Sequence, residues 1–455
     1  MAADQHLSAL DTTFLELEDA EPSAHMHIGA LLVFCGEAPA LTALLERVGE
    51  RLPGLPRYQQ RLSGSRLGAL HRPTWTDAPD FDLGTHVVLA AVPDSPGDAA
   101  LLAWAGDYFS QRLDRERPLW ELVLIPALSG GRWALASKTH HCLADGIGSL
   151  DALRLLIDGA EALPALTPSG TPEPSPLDVV RAALSLARHP LRALETSAAV
   201  AELAVRDELL PAVSNPLNVR IGTRRRLAVA DSSLSDLKAI KTALGGTVND
   251  VVLTAVTVGL RDLLLSRGED CPAAGLRAMV PVNVRQDPDE SAMGNRIVSL
   301  FVALPVFEAD PLRRYELVCE QTAEAKAGRQ GAGTAGLLGL AEWLPPVLHV
   351  PFSKSMFGKR LFNVTVTNVP GPSAVLSAFG SRLLQAIPIV PLAAEHAVGF
   401  AVLSQGGKVT FCVNADHDVV PDAAVAAQGV EAAIGDLRIV AAGRKRTGDP
   451  VVSRA

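Results

Sequence analysis

The run His140-His141-Cys142-Leu143-Ala144-Asp145-Gly146 brings an imidazole pair, a carboxylate and a glycine together within seven residues. A neutral imidazole with an ordinary pKa of about 6.5 accepts a proton near physiological pH. Attack of an alcohol on a thioester needs such a base. It needs no enzyme nucleophile, because a thiolate leaves readily. Side chains alternate along a strand, so Trp133, Leu135, Ser137, Thr139 and His141 share one face and His140 points to the other. Adjacent strand histidines cannot both reach one ion, and there is no HExxH spacing, so no metal site is expected. We therefore assign His141 as the general base, with His140, Asp145 and Gly146 in support. Asp145 would order the loop or pair with an arginine, and Gly146 lets the backbone turn sharply. Cys142 is a poor nucleophile candidate, since nothing nearby in sequence lowers its pKa. A lone histidine in an apolar strand is usually a hydrogen-bonded core residue. Four defined residues at one junction shift the balance toward chemistry.

The elements around this run are legible from periodicity. Ile28 to Cys35 reads as a buried strand and Leu41 to Arg51 as a helix. Leu122 to Pro126 and Trp133 to His141 read as neighbouring strands joined at Ser129-Gly130-Gly131. Ile147, Leu150, Leu153, Leu156 and Ile157 have helical spacing, so the histidines sit where a strand ends and a helix begins. Residues 161–175 (EALPALTPSGTPEPS) read as an exposed linker. An Ala-rich helical stretch follows from about Leu177 to Leu210, broken by Pro190. In the second half Leu234–Leu244 and Asn249–Leu265 read as helices. Leu276–Val284, Arg296–Leu304, Phe362–Asn368, Ala397–Leu403 and Val409–Asn414 read as strands. The halves share an element order but no sequence repeat, and only the first carries the histidines. We divide the chain into an N-terminal domain (1–160), a linker and helical crossover (161–225) and a C-terminal domain (226–455).

At 455 residues the chain suits two domains. The net charge of −9 argues against a general nucleic-acid binder, although a local basic pocket for a phosphorylated substrate remains compatible with it. Cys35, Cys142, Cys271, Cys319 and Cys412 are scattered and odd in number, as expected of reduced thiols in the cytoplasm. The first residues lack the pattern of a signal peptide. No run of about 18 apolar residues exists, so no spanning helix is expected, while contact with a membrane from one side stays open.

The sequence resembles the bacterial wax ester synthase/diacylglycerol acyltransferase family, within the wider HHxxxDG group of CoA-dependent acyltransferases. Beyond the histidine run, the resemblance rests on Leu7-Ser8-Ala9-Leu10-Asp11, His25-Met26-His27-Ile28-Gly29, Pro73-Thr74-Trp75, Phe81-Asp82-Leu83 with His86, Leu113-Asp114-Arg115 and Pro118-Leu119-Trp120-Glu121. In the second half it rests on Val248 to Leu253 with Asn249-Asp250, Val280 to Arg285, Gly294-Asn295-Arg296 and Asn368 to Pro372. Asn283 departs from the pattern, Ser being common there.

The resemblance implies an α/β (α+β) fold: two chloramphenicol-acetyltransferase-like domains, each a mixed sheet flanked by helices, with His141 in a tunnel at their interface. It implies acyl-CoA as donor and substrate, with no cofactor, and a lipid alcohol or diacylglycerol as acceptor. The product would be triacylglycerol or wax ester. Arg285 and Arg296 would pair with Asp145 or bind CoA phosphates. Asn249 and Asp250 suit helix capping or bracing of the domain interface better than chemistry. Asn363, Thr365 and Thr367 share a strand face and would line the tunnel or simply serve the sheet, which we favour. Pro118 to Trp120 reads as packing, and Asp416-His417-Asp418 as a turn that only looks catalytic. Leu337 to Phe352 would dip into lipid at the tunnel mouth, placing the enzyme peripherally on the inner membrane face or lipid droplets. Two other readings are an O-acyltransferase that esterifies a specialised metabolite from a carrier-protein or CoA thioester, and a non-catalytic protein of lipid-droplet or membrane surfaces.

Overall fold

The computed structural model describes residues 5–63, 73–93, 97–143, 155–159, 167–168, 212–283, 292–293, 297–327 and 358–447. The first half contains β1 (Gln5–His6), α1 (Ala9–Ala20), β2 (His27–Cys35), α2 (Leu41–Arg51), β3 (Gln60–Ser63), β4 (Thr74–Asp77), β5 (Val87–Leu89), α3 (Ala99–Phe109), β6 (Trp120–Leu128), β7 (Arg132–His140) and β8 (Thr167–Pro168). The second contains β9 (Arg225–Ser233), α4 (Leu234–Leu244), α5 (Val248–Ser266), β10 (Leu276–Asn283), β11 (Ala292–Met293), β12 (Ile297–Leu304), α6 (Pro311–Ala327), β13 (Val364–Pro370), β14 (Ser377–Ala378), β15 (Ser381–Ile389), β16 (Val398–Gln405), β17 (Lys408–Asp416) and α7 (Ala423–Thr447).

Two six-stranded mixed sheets dominate. The first runs β14-β15-β2-β7-β6-β5, with only β5 and β6 parallel. The second runs β12-β10-β13-β16-β17-β9, with β13 parallel to both its neighbours. The central strands are apolar on both faces because both faces are covered. Leu32, Phe34, Trp133 and Leu135 pack into one cluster, while Leu31, Val33, Ala134 and Ala136 pack into another beneath α3. β2 and β7 meet so closely that a Cβ on Gly29 would lie 2.1 Å from the Ser137 carbonyl oxygen and 2.7 Å from the Phe109 ring.

A division at residue 226 misplaces one strand. β15 comes from the second half, yet it pairs antiparallel with β2 from Leu383↔Phe34 to Ile389↔Gly29. It therefore completes the first sheet. Apolar spacing predicts no strand here, because Arg382, Gln385 and Pro388 break the pattern. Of the helix expected from Gly146 to Ile157, the described end, from Leu155, is a turn; the rest, like the helical stretch Leu177 to Leu210, lies outside the described residues.

α5 forms the spine of the second core, with thirteen buried residues. Among the described residues no single helix is long and apolar enough to cross a membrane. α4 and α5 together reach the length and composition but are bent by 103° at their junction, and α5 is enclosed by protein.

Candidate active site

β7 ends on His140, and His141 follows at once. The last rungs of the β2–β7 ladder pair His27 with His140, and the His141 N–H donates to the Met26 carbonyl at 2.8 Å. The two imidazoles go to different surroundings. The His141 ring stacks on Phe14, with centroids 4.2 Å apart and planes 25° from parallel. His140 is buried, its Nε2 3.0 Å from Glu18 Oε2 and its Nδ1 3.0 Å from Cys142 Sγ. The Cys142 N–H also donates to Nδ1, at 3.2 Å. Nδ1 is thus an acceptor, which puts the ring proton on Nε2, donated to the Glu18 carboxylate.

α1 supplies both contacts. Ser8 caps it, accepting from the Asp11 N–H, and the helix then presents Phe14 and Glu18 four residues apart on one face. Phe14 meets His141 and Glu18 meets His140. Glu18 is only 1% exposed, and Arg115 Nη2 at 2.8 Å and Arg112 Nε at 3.1 Å complete its shell. Burial by itself would raise the Glu18 pKa. The His140 hydrogen bond and surrounding positive charge, Arg115 included, override it and hold the carboxyl far below the usual range. His27 and His25 close the cluster. His27 Nε2 accepts from the Leu113 N–H at 3.3 Å. Burial drives its pKa well down, and burial with the Arg225 charge brings His25 to about 4. Neither is a base for neutral pH in this setting.

Cys142 is buried, and burial with the Asp11 charge raises its thiol pKa well above the ordinary value. A thiol so disposed is no nucleophile, and its contact is with His140 rather than His141. Asp145, Gly146, Arg285 and Arg296 lie outside the described residues.

Asn249 and Asp250 open α5. The Asn249 side-chain oxygen accepts from Asn368 Nδ2 at 3.1 Å, tying the helix to β13. Asp250 closes a capping box with Thr247 and accepts from Thr322 Oγ1 at 2.6 Å. Thr365 and Thr367 both lie on β13, Thr365 buried and Thr367 half-buried. Asn363 is fully occupied by backbone and amide partners: its oxygen accepts from the Arg277 N–H at 2.8 Å, and its nitrogen donates to Val213 and Asn218. It has no donor left for an oxyanion. Trp120 stacks on His86 and donates to the Tyr58 carbonyl at 2.7 Å, which is packing. Asp416 accepts from three backbone N–H groups, those of Gly222, Asp418 and Val419, and so shapes a turn.

The family model described as the wax ester synthase/diacylglycerol acyltransferase catalytic domain matches residues 7–252, and that for the C-terminal domain matches residues 293–438. The chain belongs to this family. It is an acyltransferase. A putative diacylglycerol O-acyltransferase of Mycobacterium bovis and a probable one of Mycobacterium tuberculosis are each 36% identical to it over 453 residues, 97% of both chains. Among solved structures, the wax ester synthase/diacylglycerol acyltransferase from Marinobacter aquaeolei VT8 superposes with a TM-score of 0.69 at 26% identity, over 96% of this chain and all of that one. A starter condensation domain of rhizomide synthetase, solved with C8-CoA, shares the fold at 16% identity and a TM-score of 0.61, over 97% of this chain and 96% of that domain. The expected two-domain mixed α/β architecture of this acyltransferase is thereby established.

Glu18 and Phe14 escaped the reading of the acyltransferase sequence. The signal was present: a glutamate on the apolar side of an amphipathic helix, four residues after an aromatic. Its partners, Arg115 and the histidines 25 and 27, stood in segments already singled out, but only the fold connects them.

Proposed function

We propose that the enzyme transfers an acyl group from acyl-CoA to the hydroxyl of diacylglycerol or a long-chain alcohol, with His141 as general base. The observation that carries this reading is the division of labour between the histidines. Both nitrogens of His140 are committed to Glu18 and Cys142, while His141 stands beyond the strand end against Phe14. An imidazole nitrogen of His141 takes the hydroxyl proton as the oxygen attacks the thioester carbonyl. The C–O bond forms, the C–S bond breaks, and the proton passes to the departing thiolate. No metal, redox group or other cofactor is required by this chemistry.

The proposed reaction site is a tunnel between the halves, reached by acyl-CoA from one side and acceptor from the other. Asp145 and Gly146 would shape its floor, and Arg285 and Arg296 would pair with Asp145 or hold CoA phosphates. Thr365 and Thr367 are assigned to the sheet, and Asn249 and Asp250 to bracing and capping. Lipid acceptors imply work at a membrane or lipid-droplet surface, with Leu337 to Phe352 as the proposed contact. The names of the relatives support diacylglycerol as acceptor.

The test is a thiol-release assay with palmitoyl-CoA against diacylglycerol and against hexadecanol. Release with at least one, with the matching ester as product, is expected. Absence of thiol release with both would overturn the substrate assignment.

A further inference from the structure

A cleft of about 470 Å³ separates α3 of the first half from β9 and α7 of the second. Its size falls within the range of small-molecule sites. Neither His140 nor His141 lines it. The walls are apolar, formed by Leu102 and Ala103 of α3, Val229 of β9, and Ala424 and Ala427 of α7.

One end is cationic. Arg224 Nη2 and Arg226 Nη2 both point at His417 Nε2, at 3.1 and 3.0 Å. A nitrogen that accepts from two guanidinium groups carries its lone pair there, so the His417 proton sits on Nδ1, 2.9 Å from Asp418 Oδ1. The neutral ring gathers two cations without cancelling either. Arg224 has a distant exposed partner in Asp418, at 3.5 Å. Arg226 has no carboxylate partner among the described residues, and its Nε is buried without a hydrogen-bond acceptor among them. Asp107 and Glu431 also line the cleft, and Glu431 accepts from the Asp231 N–H at 3.3 Å. Paired guanidinium forks beside a greasy trough match a carboxylate or phosphate with an attached hydrocarbon.

We propose that this cleft binds an amphiphilic oxyanion, its head on Arg226 and Arg224 and its tail against Leu102, Ala103 and Ala427. Such a ligand touches both halves at once. Its seat is also joined to the histidine cluster. Arg225, between the two cleft arginines, turns to the opposite side of the chain and donates to the Ser23 carbonyl just beyond α1. α3 reaches β9 here because Gly106 is bare: a Cβ there would stand 2.5 Å from the Arg225 carbonyl oxygen.

The experiment is titration calorimetry of the full chain with dodecyl phosphate, dodecanoate and inorganic phosphate, each below its aggregation threshold. It compares the wild type with Arg226→Gln and with Ala103→Trp, which fills the trough; circular dichroism verifies that each variant is folded. At least one of the two amphiphiles should bind the wild type, and the better one identifies the head group. Each variant should weaken that binding about tenfold or more, the scale of one charge-assisted hydrogen bond. Affinity unchanged in both folded variants would place the binding elsewhere and overturn the proposal. So would inorganic phosphate binding as tightly as the amphiphiles, or no binding at all. Turnover is not measured, so this result stands apart from that of the thiol-release assay.

Discussion

His140 and His141 meet the same face of α1 but keep different partners: His140, the last residue of β7, bonds Glu18, and His141, just past the strand, stacks on Phe14. Alternation set them on opposite faces of a strand running to His141, but β7 stops at His140, so alternation does not reach His141. It could not supply the helix that receives them, because α1 lies some 120 residues upstream. Glu18 is the point of greatest electrostatic leverage among the described residues of the site, since it bonds His140, Arg112 and Arg115 together. Replacing it by glutamine keeps an acceptor for His140 but leaves Asp19 as the remaining carboxylate partner of Arg115 and Arg112 among the described residues. We expect Glu18→Gln to lose about 1–3 kcal/mol of stability, the scale of weakening charge-assisted hydrogen bonds to partners that keep Asp19 or solvent. Urea denaturation checks this, and a loss below 1 kcal/mol would deny Glu18 its place as hub.

Among the elements, those with strong periodicity were legible. α2 and α4 have the limits that apolar spacing predicts, β2 starts one residue earlier than expected, β7 is shifted by one residue at each end, and β10 starts at Leu276 as expected. β15 was not, because Arg382, Gln385 and Pro388 interrupt its apolar residues and its partner β2 is about 350 residues away. Pairing at that distance is decided by the whole fold. The start of α5 shows how much a local signal can carry. Thr247 and Asp250 satisfy each other's backbone N–H groups, and Asp250 also binds α6 through Thr322. Asp250→Ala should cost about 1–2 kcal/mol from the cap, with a further loss from Thr322. The urea midpoint reads this directly, and an unchanged midpoint would rule the box out as a stabilising feature.

At the scale of the whole molecule, the two halves are interlocked, because a strand of the second completes the sheet of the first. Buried histidines then set a common response to acid. Burial lowers His396 to about 4, against the opposing effect of its bond to the Phe362 carbonyl, and His25 is also lowered to about 4. The unfolded chain binds these protons at about pH 6.5, the folded chain only near 4. Stability is therefore full above about 6.5 and declines as pH falls toward 4. Each such group adds about 1.4 kcal/mol per pH unit to the slope in that window. The depressed Glu18 carboxyl adds a loss of the same sign at still lower pH, below its unfolded value. His396→Gln should make the slope between pH 6 and 4.5 shallower by one group's share, measured by urea midpoints across that range. An unaltered slope would mean that His396 is protonated in the folded state. The same scale holds the central proposal, that the fold sets the His141 imidazole against two substrates. The most direct measurement is the kcat for thiol release from palmitoyl-CoA by His141→Ala, in protein shown by circular dichroism to be folded. The account predicts a fall of about 10²–10⁴-fold, and a kcat near that of the wild type would contradict it.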